Sequence, residues 1–220
     1  MYKQLSKAEF AGDIILEFAG ENDLEITDKQ LATLAAYQAH VLDVNRRMNL
    51  TRITDPADFA VKHIIDSLTL LPFIPPGASL IDIGTGAGFP GMVLGIMRED
   101  LRLTLLDSTR KRVDFLRETA DMLGVQAECV HARAEEYSAP GFDICTARAV
   151  AAMDKLAGYA LPLVKPGGVF LAMKGPEISR EIEMAKPAIE KHGGFIENIH
   201  MVKLSHARTH SVVAIRKCVG

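Results

Sequence analysis

The chain has 220 residues, 48% of them hydrophobic, and a formal net charge of −3. That suffices for one α/β core with a small helical addition and gives no global attraction to a polyanion, so nucleic acid could be met only by a local basic patch. No apolar run approaches the roughly 20 residues that span a bilayer, the start lacks a signal-peptide core, and Cys129, Cys145 and Cys218 have no Cys-x-x-Cys spacing. A cytoplasmic chain with reduced thiols is expected, without membrane, disulfide or zinc.

Residues 1–71 read as an N-terminal helical appendage. Ser6-Lys7-Ala8-Glu9 and Thr27-Asp28-Lys29-Gln30 fit the capping-box pattern, and Asp55-Pro56 sets a cap before a first-turn proline, so three helix starts are marked. Phe10, Ile14 and Phe18 recur every four residues, as do Leu31 and Ala35 beside Leu34, which gives each helix one face to bury. Pro72-Phe73-Ile74-Pro75-Pro76-Gly77 breaks this rhythm and marks the boundary with a second region, 72–220, the two forming one compact unit.

Beyond it strand-like and helix-like runs alternate: strand 79–83, helix 88–98, strand 102–106, helix 109–123 closed by Gly124, strands 127–131 and 143–146, helix 151–164, strand 168–173, helix 177–191. Such alternation builds an α/β fold with a doubly wound, mostly parallel sheet. After Gly193-Gly194 come a strand near 195–203, a polar loop from Ser205 to His210 and a strand 212–216. With no helix between them, these predict an antiparallel C-terminal hairpin at the sheet edge.

After the first strand, Gly84, Gly86 and Gly88 alternate, so the backbone can turn sharply and a ligand can approach it. N–H groups at the following helix start favour an anionic or hydrogen-bond-accepting ligand, and a small cofactor is expected. Gly86 to Gly91 formally match the dinucleotide fingerprint G-x-G-x-x-G, but there the first glycine directly follows the strand. Here that place belongs to Gly84, which puts Phe89 where the third glycine should be. Asp82 to Gly88 (Asp-x-Gly-x-Gly-x-Gly) instead resembles the S-adenosylmethionine motif of the class I methyltransferases, whose Rossmann-like sheets also end in an antiparallel hairpin. A nicotinamide or flavin cofactor, and a purely structural turn, stand as alternatives.

Ligands on such sheets bind beyond the carboxyl ends of the strands. That selects Gly84 to Phe89, then Asp107, Ala134-Glu135 and Arg148, after the first four strands in turn. Asp107 lies about 20 residues past the loop, where an acid can hydrogen-bond ribose hydroxyls, or else it caps helix 109–123. Ala134-Glu135 would meet the adenine edge or form a solvated first turn. Arg148 could hold a carboxylate, a phosphate or a guanine O6, unless it is an ordinary surface arginine.

The fourth-strand region has no Asn/Asp-Pro-Pro-Tyr/Phe stretch for an exocyclic amine and no Pro-Cys pair for covalent catalysis; Cys145 reads as a small buried residue. An acceptor nitrogen with a free lone pair needs neither device, so no general base and no metal are expected. Arg110-Lys111-Arg112 opens helix 109–123, where positive charge opposes the helix dipole. With Arg46-Arg47, Arg52, Lys62 and His63 it could form a patch for a polyanion, each residue reading equally well as a solvated cation. His63 and Asp66 read as a helix-surface pair.

Together these residues resemble the RsmG (GidB) family of 16S rRNA guanine-N7 methyltransferases. The resemblance covers essentially the whole chain: Asn45-Arg46-Arg47-Met48-Asn49-Leu50-Thr51, His63-Ile64-Ile65-Asp66-Ser67, Ile81 to Gly91, Leu105-Leu106-Asp107-Ser108 with Lys111-Arg112, Arg133-Ala134-Glu135-Glu136, Ala147-Arg148-Ala149 and Met173-Lys174-Gly175. It implies that Gly84, Phe89, Ala134, Glu135 and Arg148 contact S-adenosylmethionine, with Asp82, Gly86 and Asp107 beside them. It further implies a guanosine in 16S rRNA of the 30S subunit as acceptor. Arg46, Arg47, His63, Lys111, Arg112 and Lys174 are the candidate RNA contacts, and a monomer is expected. Ala207-Arg208-Thr209-His210 matches the family's basic tail loop only loosely, so Arg208 and His210 carry no assignment. The rivals are a small-molecule methyltransferase or nicotinamide-dependent reductase, and a non-catalytic RNA-binding assembly factor.

Overall fold

Strand β1 (Ser79–Ile83) sits inside a seven-stranded sheet of order β3-β2-β1-β4-β5-β7-β6. The computed structural model describes residues 10–139, 141–205 and 208–219, so the Ser6–Glu9 capping box lies outside the described residues. β2 (Arg102–Asp107), β3 (Ala127–His131), β4 (Phe142–Arg148) and β5 (Val164–Lys174) run parallel to β1, whereas β6 (Gly194–Ser205) and β7 (Arg208–Lys217) form the antiparallel hairpin. The winding reverses between β1 and β4, and the crevice at their carboxyl ends is where such sheets bind ligands.

Side-chain alternation along β1 feeds two cores. Leu80 joins the cluster under α5 (Gly91–Met97) and α6 (Arg110–Leu123), while Ile81 and Ile83 join the one under α7 (Met153–Ala160) and α8 (Ser179–Lys191). The N-terminal helices α1 (Gly12–Glu21) and α2 (Asp28–Met48) bury Ile15, Phe18, Leu34, Tyr37 and Val41 in the same cluster as Leu80, Phe89 and Met92. α2 starts on a capping box in which Thr27 and Gln30 exchange hydrogen bonds, and Asp55 caps α3 (Pro56–Phe59). α3 runs on as a π-helical turn, Ala60–Ile65, into α4 (Asp66–Leu68).

Several boundaries differ from expectation. The helix expected over 88–98 begins only at Gly91, because the Gly88 and Phe89 N–H groups both bond the Thr85 carbonyl and close a tight turn first. The helix expected over 151–164 covers Met153–Ala160, and β5 starts at Val164, its Pro166-Gly167 accommodated by a register shift against β4. Of the polar loop expected over 205–210, Ser205 and residues 208–210 lie in strands: Ser205 pairs with Arg208, since ladder hydrogen bonds do not depend on side-chain polarity.

Candidate cofactor and acceptor site

The glycine loop is held by two buried acids. Asp82 on β1 accepts from the Gly91 N–H at 2.9 Å and from the Thr146 hydroxyl at 3.0 Å. Burial pushes its carboxyl up to about 6, against the lowering effect of these bonds. Asp82 is fully buried, so it shapes the loop and presents nothing to a ligand, which corrects its expected place among the cofactor contacts. Asp107 accepts from the Gly86 N–H at 3.0 Å and the Thr109 N–H at 2.8 Å, and thus ties the loop to the start of α6. Arg112 stands 3.6 Å from its carboxylate.

The loop's N–H groups are largely consumed within the protein. Those of Gly84 and Thr85 bond the Leu106 carbonyl, Gly88 and Phe89 bond Thr85, Gly86 bonds Asp107 and Gly91 bonds Asp82. The expected anion-attracting helix start is therefore corrected: the loop offers a shaped surface, not a phosphate cradle. A dinucleotide's pyrophosphate would find no donors at these six groups. An adenosyl cofactor without phosphate needs none, and the loop leaves open space beside Gly86. Gly86 has φ +64° and nothing within 4 Å of where a Cβ would stand, whereas at Gly84 (φ +65°) a Cβ would lie 2.7 Å from Val150.

Ala134 and Glu135 follow β3 in a short turn that the Ala132 N–H ties to the Asp107 carbonyl, which brings them beside the second-strand end. Glu135 is exposed and Ala134 half-buried.

Arg148, at the end of β4, is no ordinary surface arginine. Its Nη1 donates at 2.8 Å to both the Lys62 carbonyl and Asp66 Oδ2, its Nη2 lies 3.1 Å from His63 Nδ1, and its guanidinium stands 5.1 Å from the centre of the Phe89 ring. Phe89 itself is buried, with the His63 imidazole stacked on it at 4.3 Å and Phe59 edge-on. Asp66 also binds His210 Nδ1, and His210 Nε2 lies 3.2 Å from the Thr69 hydroxyl. Burial raises the Asp66 carboxyl, but the bond from His210 and the charge of Arg148 outweigh it and hold the pKa below its usual value.

His63 and Asp66 are thus not a surface pair, and His63 is not an RNA-facing cation. Burial, then the Arg148 charge, lower its pKa to about 3, so it stays neutral. Lys174 is corrected likewise: it is almost buried, donating to the Ala151 carbonyl at 2.8 Å and to Glu181 at 2.7 Å, and presents no free charge to RNA. Of the candidate RNA-facing cations, Arg46 and Arg47, within 4 Å of Asp43, are exposed along with Arg52, Arg110 and Lys111, as is Arg208, while Lys62 and Arg112 are half-buried. Cys145 is fully buried and its thiol is pushed well up by that burial.

Sequence reasoning missed Tyr37 and His210. Tyr37 donates to the Ala87 carbonyl at 2.7 Å from inside the core; a lone aromatic on an apolar helix face gave no sign of that reach.

A family model described as rRNA small subunit methyltransferase G matches residues 30–212. The chain belongs to this family. Among its relatives are proteins named ribosomal RNA small subunit methyltransferase G from Desulforamulus reducens, 40% identical over 90% of this chain and 87% of the relative, and from Pelotomaculum thermopropionicum, 42% identical over 93% and 90%. Two solved structures share the fold. A methyltransferase from Pyrococcus furiosus has a TM-score of 0.60 at 14% identity, covering 84% of this chain and 100% of that one. A SAM-dependent methyltransferase from Aquifex aeolicus has a TM-score of 0.55 at 19% identity, covering 73% and 93%. This rRNA methyltransferase family and fold account for the intact glycine loop and the hairpin.

Proposed function

We propose that this chain transfers a methyl group from S-adenosylmethionine to N7 of a guanosine in 16S rRNA of the 30S subunit. The observation that carries the donor half is the glycine loop, whose N–H groups are taken up internally while open space is left over Gly86. That combination suits an adenosyl group without phosphates and disfavours a nicotinamide dinucleotide. The acceptor half is supported by family membership and by exposed cations at the end of α2 and the start of α6.

When bound, the donor supplies an electrophilic methyl group on a sulfonium. Gly84 and Gly86 would shape the floor of its site, Asp107 would meet the ribose hydroxyls with the lone pairs left beside the Gly86 and Thr109 N–H groups, and Ala134-Glu135 would meet the adenine edge. Arg148 would meet the donor's polar end. Guanine N7 carries no proton, so no side chain has to remove one. Catalysis then rests on alignment and exclusion of water, and the neutral His63 and the Asp66-paired Arg148 place no unbalanced cation beside a base that becomes positive. Arg46, Arg47, Lys111 and Arg112 hold RNA phosphates in this reading. The helical region 1–71 and residues 72–220 act as one unit, a view supported by their shared core.

Incubating the protein with methyl-labelled donor and 30S subunits, then mapping the labelled nucleotide, tests donor, acceptor and activity together. Label on N7 of one guanosine supports the proposal; binding without transfer would favour the assembly-factor reading.

A further inference from the structure

A guanidinium carries five N–H donors in a fixed plane. In Arg148 both Nη1 donors are engaged, by the Lys62 carbonyl and by Asp66, and one Nη2 donor by His63. Among the described residues no partner takes the N–H on Nε or the second one on Nη2. We propose that His63 and Asp66 are positioning residues that turn Arg148 so that its Nε and Nη2 donors form a fork reserved for the carboxylate of the donor's amino-acid tail. This rests on the donor reading above.

The hydrogen-bond directions are fixed by chemistry. Because a guanidinium only donates, His63 Nδ1 must accept, so the imidazole proton is on Nε2 and is donated to the Thr51 hydroxyl 2.8 Å away. A protonated His63 could not accept from Arg148, and burial keeps the ring neutral. Asp66 fixes the other nitrogen at 2.8 Å, and the Phe89 ring beneath limits rotation of the plane. A carboxylate matches a two-donor fork, whereas the N7/O6 edge of guanine cannot occupy it during transfer, since N7 must keep its lone pair for attack.

The test compares two ligands by calorimetry. S-adenosylhomocysteine carries the amino-acid tail; 5′-methylthioadenosine keeps the nucleoside and lacks the tail. His63→Leu and Asp66→Asn should each weaken the first by about tenfold while leaving the second unchanged, as expected for a misaligned charge-assisted fork. His63→Asn keeps an acceptor near the place of Nδ1 and should recover most of the loss. An equal fall for both ligands would show a merely structural role, and unchanged affinity for both would show no role; either overturns the proposal. Wild-type protein that binds neither ligand would overturn the donor reading itself, and this inference with it.

Discussion

The Tyr37 hydroxyl donates to the Ala87 carbonyl at 2.7 Å, a bond that carries α2 into the centre of the glycine loop. Tyr37 is fully buried, and a Cβ on Gly88 would lie 2.6 Å from its hydroxyl oxygen. The N-terminal helices therefore set the loop's shape as well as covering it. Tyr37→Phe leaves volume almost unchanged but orphans a buried carbonyl, which should cost about 1–3 kcal/mol in urea unfolding. Affinity for S-adenosylhomocysteine should fall with it, and unaltered affinity would detach α2 from the site.

Gly86 and Gly88 separate ligand space from packing space. Gly86→Ala meets no protein atom and should cost only about 1–2 kcal/mol of left-handed backbone strain, while sharply reducing S-adenosylhomocysteine affinity. Gly88→Ala, at φ +106° and against Tyr37 and Met92, should lower stability by more. Thermal unfolding with and without ligand distinguishes the two; a Gly86→Ala protein that binds normally would remove the loop from the donor site.

His63 gives the fold a dependence on pH. With its pKa lowered from 6.5 to about 3, the folded chain keeps it neutral while the unfolded chain protonates it, so its contribution is complete above 6.5 and is lost as pH falls toward 3. Asp82 works in the opposite sense. Its folded carboxyl, raised to about 6 from 3.8, takes up a proton first, so acidification between those values favours the folded state. His63→Asn removes only the first effect and should lose less stability than wild type between about pH 7 and about pH 5 in urea titrations. Parallel curves for the two proteins would contradict the buried neutral imidazole.

Arg46→Glu with Arg47→Glu, and separately Lys111→Glu, should reduce methylation of 30S subunits through a raised KM for RNA, with S-adenosylhomocysteine affinity unchanged. Each lost phosphate contact should lower the slope of log K against log salt by about one. A slope that stays constant would place the RNA elsewhere on the surface.

Lys174→Met should behave differently from those exposed cations. Breaking its bonds to Glu181 and the Ala151 carbonyl should destabilise the fold by about 1.5–3 kcal/mol. The salt slope of RNA binding should stay as in wild type; a reduced slope would return Lys174 to the RNA-facing set.

The sequence by itself determined the alternating strands and helices, the α2 capping box and the glycine-loop register, because periodicity, caps and turn chemistry act over a few residues. The hairpin and the parallel core followed from the same local signals, and the segments around Asn45 and His63 carried the family resemblance. Which polar side chains face a ligand was decided only by the tertiary structure. Asp82 and Lys174 read locally as site residues yet are satisfied by Thr146 and Glu181, which lie on other elements. His63 reads as a surface cation until Phe89 and Arg148 arrive from elements far along the chain and enclose it. Burial and hydrogen-bond partners are sums over distant segments, and a group's charge and availability follow from those sums.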